Sequence, residues 1–233
     1  MKEKGDVDLN KIIQSLVDEV VRIEVSGKKL LIGTVVDLGT DVIVIFNGAD
    51  FVYIPLDHIQ SFEVDKNNEY DIKVPTEFLS IIAGEKNEHL SLRQIITQAK
   101  GNYVEIYVTG SQPLHGYITN IMDNYFVFDS PVYKKIFISL SHLKWLIPYS
   151  KNERPYGLDN YVIPLQLNHK SLASTFEDQV EKFKNEIVVF NIEGHKSYIG
   201  KISNVEEQIV EIQSARNNSV YVNIDHIKTV HQV

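Results

Sequence analysis

Three phrases, IPLDHIQSF at Ile54–Phe62, ISLSHLKWL at Ile138–Leu146 and VNIDHIKTV at Val222–Val230, place His58, His142 and His226 at intervals of 84 residues. Gly33, Gly116 and Gly200 recur at intervals of 83 and 84, and each follows another glycine, Gly27, Gly110 or Gly194, by six positions. Apolar positions agree with this register: Val20, Tyr103 and Ile187 correspond, as do Ile23, Ile106 and Phe190. Three markers in one order define a tandem of three related modules. The period exceeds the roughly 20–50 residues of solenoid repeats, so each copy reads as a small domain and not as one layer of a stack. The modules are set at residues 1–66, 89–149 and 171–233, joined by polar, turn-rich linkers at 67–88 and 150–170. Tyr161–Leu167 in the second linker is apolar enough to dock.

Each module begins with a helical pattern. Leu9, Ile12, Ile13, Leu16 and Val20 share one face at helical spacing, and Ser91–Lys100 and Ser174–Lys184 repeat it. Ser174 and Glu177 have the spacing of a capping box. Alternating strands follow. The first ends at a glycine suited to a positive-φ turn. The second runs through Gly33, Gly116 or Gly200, where a missing side chain permits a bend or the close crossing of another strand. After a turn come two more strands, the histidine phrase and a last strand. The expected fold is mainly β with short helices: three tandem small Sm-like or SH3-like five-stranded barrels, each preceded by a helix, whose closure removes exposed edges.

The chemistry weighs against catalysis. His58, His142 and His226 follow Asp57, Ser141 and Asp225, so no acid accompanies all three. Short polar residues cap single helical turns, and the histidines read as structural markers of the repeat together with the six glycines. A zinc site of three imidazoles would need the modules to bring these histidines together. His89, His115, His169, His195 and His231 show no metal-ligand spacing. No GxSxG, GxxxxGK[ST] or GxGxxG motif occurs, and the pair Glu206–Glu207 lies on a hairpin turn. No catalytic residue, cofactor or metal ligand is therefore assigned. With no cysteine, disulfides and thiolate chemistry are excluded.

The charge of -8, from 31 acidic and 23 basic residues, opposes binding to a phosphate backbone. Lys134–Lys135 is a basic pair confined to the middle module. An RNA-binding Sm-like protein is the alternative reading: Asp37 and Asn120 stand near the position of the Asp-x-hydrophobic-Asn loop of such proteins, but no Arg-Gly is present. The N-terminal segment is charged and then amphipathic, so neither a signal peptide nor membrane insertion is expected. Tyrosines 103, 107, 117, 125, 133, 149, 156 and 161 suggest interface surface, with Tyr103 and Tyr107 readable as ordinary strand residues, and Trp145 suggests a contact between modules.

The repeated helix, glycine-centred strand and phrases VYIPLDHIQSF, FISLSHLKWL and VYVNIDHIKTV resemble the repeats of spore coat protein B and its relatives in endospore-forming bacteria. The resemblance implies a noncatalytic structural component. It would be made in the mother-cell cytoplasm and deposited on the spore coat by contacts with other coat proteins, self-association being open. The family's glycine-pair turn with a following Pro-Glu is absent, and so is its Ser/Lys-rich tail.

Overall fold

The computed structural model describes residues 15–75, 90–150, 153, 155–157, 171–192, 194 and 196–233. Fifteen antiparallel strands and two short helices form this part. The first module comprises β1 (Val20–Val25), β2 (Lys29–Leu38), β3 (Val42–Phe46), β4 (Phe51–Pro55) and β5 (Ile59–Val64). The second has helix α1 (Leu92–Ala99), β6 (Tyr103–Tyr107), β7 (Leu114–Ile121), β8 (Tyr125–Ser130), β9 (Lys134–Ser139) and β10 (Trp145–Pro148). The third has helix α2 (Phe176–Glu181), β11 (Ile187–Phe190), β12 (Tyr198–Glu206), β13 (Ile209–Gln213), β14 (Ser219–Asn223) and β15 (Thr229–Gln232). A single 3-10 turn separates the last two strands of each module, at Leu56–His58, Leu140–His142 and Ile224–His226.

Two compact units result, Met1–Gln98 with Lys144–Pro148, and Ala99–Leu143 with Tyr149–Val233. Their boundary does not follow the sequence repeat, because β10 belongs to the first unit. Strand order in the first unit is β10-β4-β3-β2-β1-β5, and in the second β14-β13-β12-β11-β15-β9-β8-β7-β6. The expected closed barrels are not what forms: the sheets are open. In the first and third modules the first strand pairs with the last, β1 with β5 and β11 with β15. The fourth strand does not pair with its own module's fifth among the described residues. It takes the fifth strand of the next module, β4 with β10 and β9 with β15.

The second strand bends at one place in every copy. Pairing slips between Val35 and Asp37, between Ile118 and Asn120, and between Ile202 and Asn204, three residues beyond the central glycine. Such bulges bend the strand and sharpen its twist. The glycine itself is required by a neighbouring backbone. A methyl group at Gly116 would lie 2.3 Å from the Asp129 carbonyl oxygen, and at Gly33 or Gly200 it would lie 2.6 or 2.4 Å from those of Phe46 or Gln213.

Helix boundaries differ from the sequence reading in detail. Of the segment Leu9–Val20, residues 9–14 lie outside the described residues; Ser15–Asp18 form a turn and Val20 already opens β1. The cap of α2 is Thr175, not Ser174: its Oγ1 accepts the Asp178 N–H at 3.2 Å. Extended backbone at Thr175 (φ -110, ψ 160) aims that hydroxyl at the helix, and Ser174 uses its carbonyl instead to accept from Asp123. A full capping box stands at the start of α1, where Ser91 Oγ accepts from Gln94 N–H and Gln94 Oε1 accepts from Ser91 N–H at 2.9 Å. Tyr161–Leu167 lies outside the described residues.

Candidate interaction surface

The joint between successive modules is built twice by the same parts. In the first unit Asp41, in the turn between β2 and β3, accepts the Leu92 N–H through Oδ1 at 2.7 Å, while Thr40 N–H donates to the Leu90 carbonyl at 2.7 Å. In the second unit Asn124, in the turn between β7 and β8, accepts the Phe176 N–H through Oδ1 at 2.7 Å, and Asp123 N–H donates to the Ser174 carbonyl at 3.0 Å. A helix N-terminus has orphan donors, so a side-chain acceptor from the preceding module both satisfies it and fixes where the helix lies.

What the helix covers follows from the strands. In β3 and β4 the runs Val42–Ile45 and Val52–Pro55 are buried throughout, and so are Tyr125–Phe128 of β8 and Ile136–Ser139 of β9. Alternate residues of a strand point to opposite faces, so these strands are covered on both. For β8 and β9 the second cover is the third module: Tyr125, Val127 and Phe137 share one apolar cluster with Phe176, Val180, Phe183 and Val230. The Phe137 ring lies 5.0 Å from that of Phe183, and Tyr125 lies 6.0 Å from Phe176.

Register at the two joints is identical once the repeat is allowed for. Leu146 opposes Tyr53 in the first unit, and Val230, 84 residues after Leu146, opposes Phe137, 84 residues after Tyr53, in the second. The last strand also brings a lysine to the preceding module's first turn. Lys144 Nζ lies against Gly27, and Lys228 Nζ donates to Thr109, beside Gly110, at 3.4 Å.

The third module breaks the pattern. Its equivalent strands alternate instead: in β13 Val210 and Ile212 are buried while Ile209 is exposed, and in β14 Val222 is buried while Tyr221 is 67% exposed. Tyr221 occupies the position of Tyr53, 1% exposed, and Phe137, 5% exposed. Its hydroxyl reaches Glu211 at 3.4 Å across the β13–β14 pair. An open depression is lined there by Asn204, Glu206, Glu207, Ile209, Glu211 and Tyr221.

The residues singled out in the sequence fall elsewhere. Gly27 and Gly110 occupy turns at φ +93 and +90, whereas at the third turn Asn191 takes the positive φ (+55) and Gly194 does not. Asn191 also accepts the Lys228 N–H at 2.7 Å through its side chain, which is the local contact that shifts the turn. His58 Nδ1 meets Ser26 Oγ at 3.1 Å, and His142 Nε2 meets the Asp225 carbonyl at 2.9 Å. The His226 carbonyl accepts from Asn191 Nδ2 at 3.2 Å. No His/Asp/Glu cluster able to hold a metal occurs among the described residues. His89, His169 and His195 lie outside them. Trp145 is buried in β10, the strand that joins the second module to the first.

Of the suggested interface tyrosines, Tyr107 and Tyr125 are buried, Tyr103, Tyr117, Tyr133 and Tyr149 are half-buried, Tyr156 is exposed, and Tyr161 lies outside the described residues. Tyr125 is fully buried, Tyr107 donates to the Gly110 carbonyl at 2.7 Å, and Tyr103 packs edge-on against Tyr117 and Tyr149. The signal that distinguishes Tyr221 was in the sequence: VIVIF and YFVF are continuous apolar runs, while IVEIQ alternates.

Burial, with Asp123 adding to it, pushes the Tyr125 phenol up to about 12. Its hydroxyl donates to the Ala173 carbonyl at 2.7 Å, beside Gln179 Oε1 at 3.1 Å. An unfolded tyrosine ionises near pH 10, so this group contributes stability that is fully present below that pH and is lost as pH rises toward about 12. Tyr125→Phe is expected to cost about 1–2 kcal/mol at neutral pH and to make the alkaline decline shallower, read by urea unfolding at a series of pH values. An unchanged alkaline slope would contradict this assignment.

These features define a mainly β, repeat-built protein whose candidate site is a sheet edge and face, not a cleft. The profile described as YwrJ third domain matches residues 175–230, which take in α2 and strands β11 through β14 with the start of β15. The "Uncharacterized protein YwrJ" of Bacillus subtilis (strain 168) is 36% identical over 217 residues, covering 91% of this chain and 94% of that protein. The chain belongs to the YwrJ family. No helix among the described residues is long and apolar enough to cross a membrane.

Proposed function

We propose that this is a noncatalytic structural protein that works by protein–protein contact. The observation that carries this reading is the third-module face: a tyrosine and an isoleucine lie exposed where both other modules bury their counterparts, those of the middle module within the third-module cluster. An exposed aromatic at a position built for coverage marks an interaction surface. Each module is read as a variant of the small Sm-like unit, with its closing strand lent to its neighbour. The setting proposed is the spore coat, reached after synthesis in the mother-cell cytoplasm, with other coat proteins as partners. Its support is the resemblance of the three histidine phrases to coat protein B repeats.

A fluorescent fusion in sporulating cells is expected to concentrate at the spore surface, and the Tyr221→Lys fusion to lose that concentration. Diffuse signal through spore maturation would overturn the coat setting. The RNA-binding alternative is addressed by fluorescence anisotropy with mixed short RNAs at low salt: the charge of -8 predicts no binding below micromolar concentrations, and tight binding would displace the scaffold reading.

A further inference from the structure

We infer that copies of this chain join head to tail, the first module of one copy occupying the exposed third-module face of another through the joint already used twice inside the chain. The inference rests on the reading of that face as an interaction surface and supplies its partner. A joint pairs a fourth-strand edge on one side with a fifth strand on the other. Both internal joints consume these parts, and among the described residues one of each remains over. β14, a fourth strand, pairs with β13 alone, and β5, a fifth strand, pairs with β1 alone.

Exposure agrees on both sides. Ser61 is exposed and Phe62 half-buried in β5, while their counterparts Trp145 with Leu146 and Thr229 with Val230 are buried. Gln60, at the position of Lys144 and Lys228, is exposed too. Opposite them stand Ile209 and Tyr221. The occupant is therefore a second copy, because the complementary parts are this chain's own.

The shared register makes the joint specific. Carrying Leu146 opposite Tyr53 and Val230 opposite Phe137 forward by one repeat puts Phe62 of one copy opposite Tyr221 of the next. The contact is heterologous, so two copies close on each other if the rotation returns to its start, and otherwise copies add in line.

The chain has no cysteine, which allows a clean test. Directly opposed strand residues lie within disulfide reach. A Phe62→Cys chain mixed with a mass-tagged Tyr221→Cys chain is expected to give a disulfide-linked heterodimer on mild oxidation. Phe62→Cys mixed with Ile199→Cys, an exposed position on β12 away from the edge, is expected to give none. Light scattering of the wild type should show dimers or larger species that Tyr221→Lys returns to single chains with an unchanged melting curve. Wild-type protein that stays monomeric, or a Phe62→Cys and Tyr221→Cys mixture that links no better than the Ile199→Cys control, would overturn the inference. Spore-surface localisation that still depends on Tyr221 in a monomeric protein would leave the proposed function standing while removing self-association.

Discussion

Phe137→Ala is expected to lower the stability of the second unit by about 3–5 kcal/mol, the cost of removing a buried phenylalanine, while Tyr221→Ala at the matching position changes it by no more than about 0.5 kcal/mol. The two aromatics occupy one site in the repeat and have opposite surroundings. Phe137 lies between Tyr125 and Phe183 and helps bind the third module's core to β8 and β9. Tyr221 has solvent in that place. Equilibrium urea unfolding read by circular dichroism measures both, and equal losses would show that the third-module face is covered within a single chain. A drop of this size at Phe137 is also expected to expose Tyr125, so the alkaline dependence of stability should weaken in the same variant.

Gly116→Ala is expected to cost about 1–3 kcal/mol, the usual penalty for forcing extra volume into packed structure. The added methyl would meet not a flexible side chain but the carbonyl of Asp129 at 2.3 Å, with its carbon and the Phe128 ring both at 2.9 Å. The β7–β8 pair must separate or shift its bulge to admit it. Either response disturbs Tyr117 opposite Asp129 and Ile118 opposite Phe128. Gly200→Ala should behave alike, with the Gln213 carbonyl in the same place. A melting temperature unchanged by both substitutions would show that the second strand does not need close backbone approach.

How much of this could be read from the letters differs by element. The alternation of VVRIEV and YVEIY is a local, period-two property, and it marks β1 and β6 directly. The helical spacing at Ser91–Lys100 likewise marks α1. The cap of α2 is not local in the same way: Ser174 and Thr175 are both good N-caps, and the Asp123 N–H that holds the Ser174 carbonyl selects Thr175. The spacing places a turn glycine at Gly194, yet Asn191 tolerates the left-handed conformation and, with a side chain able to bond Lys228 and the His226 carbonyl, takes it instead.

The sequence by itself determined three related copies, their strands and turns, the glycines where backbones cross, and the absence of any cysteine chemistry. It also held, in the contrast between VIVIF and IVEIQ, which copy presents an uncovered face. Only the tertiary structure decided that β4 and β9 pair with the following module and not with their own last strand. Pairing at a strand edge is made by backbone N–H and C=O groups, which every residue carries, so side-chain patterns do not name the partner. The helix that follows is held to the preceding module through Asp41 with Leu92 and Asn124 with Phe176, contacts between residues about 50 positions apart that no local pattern displays.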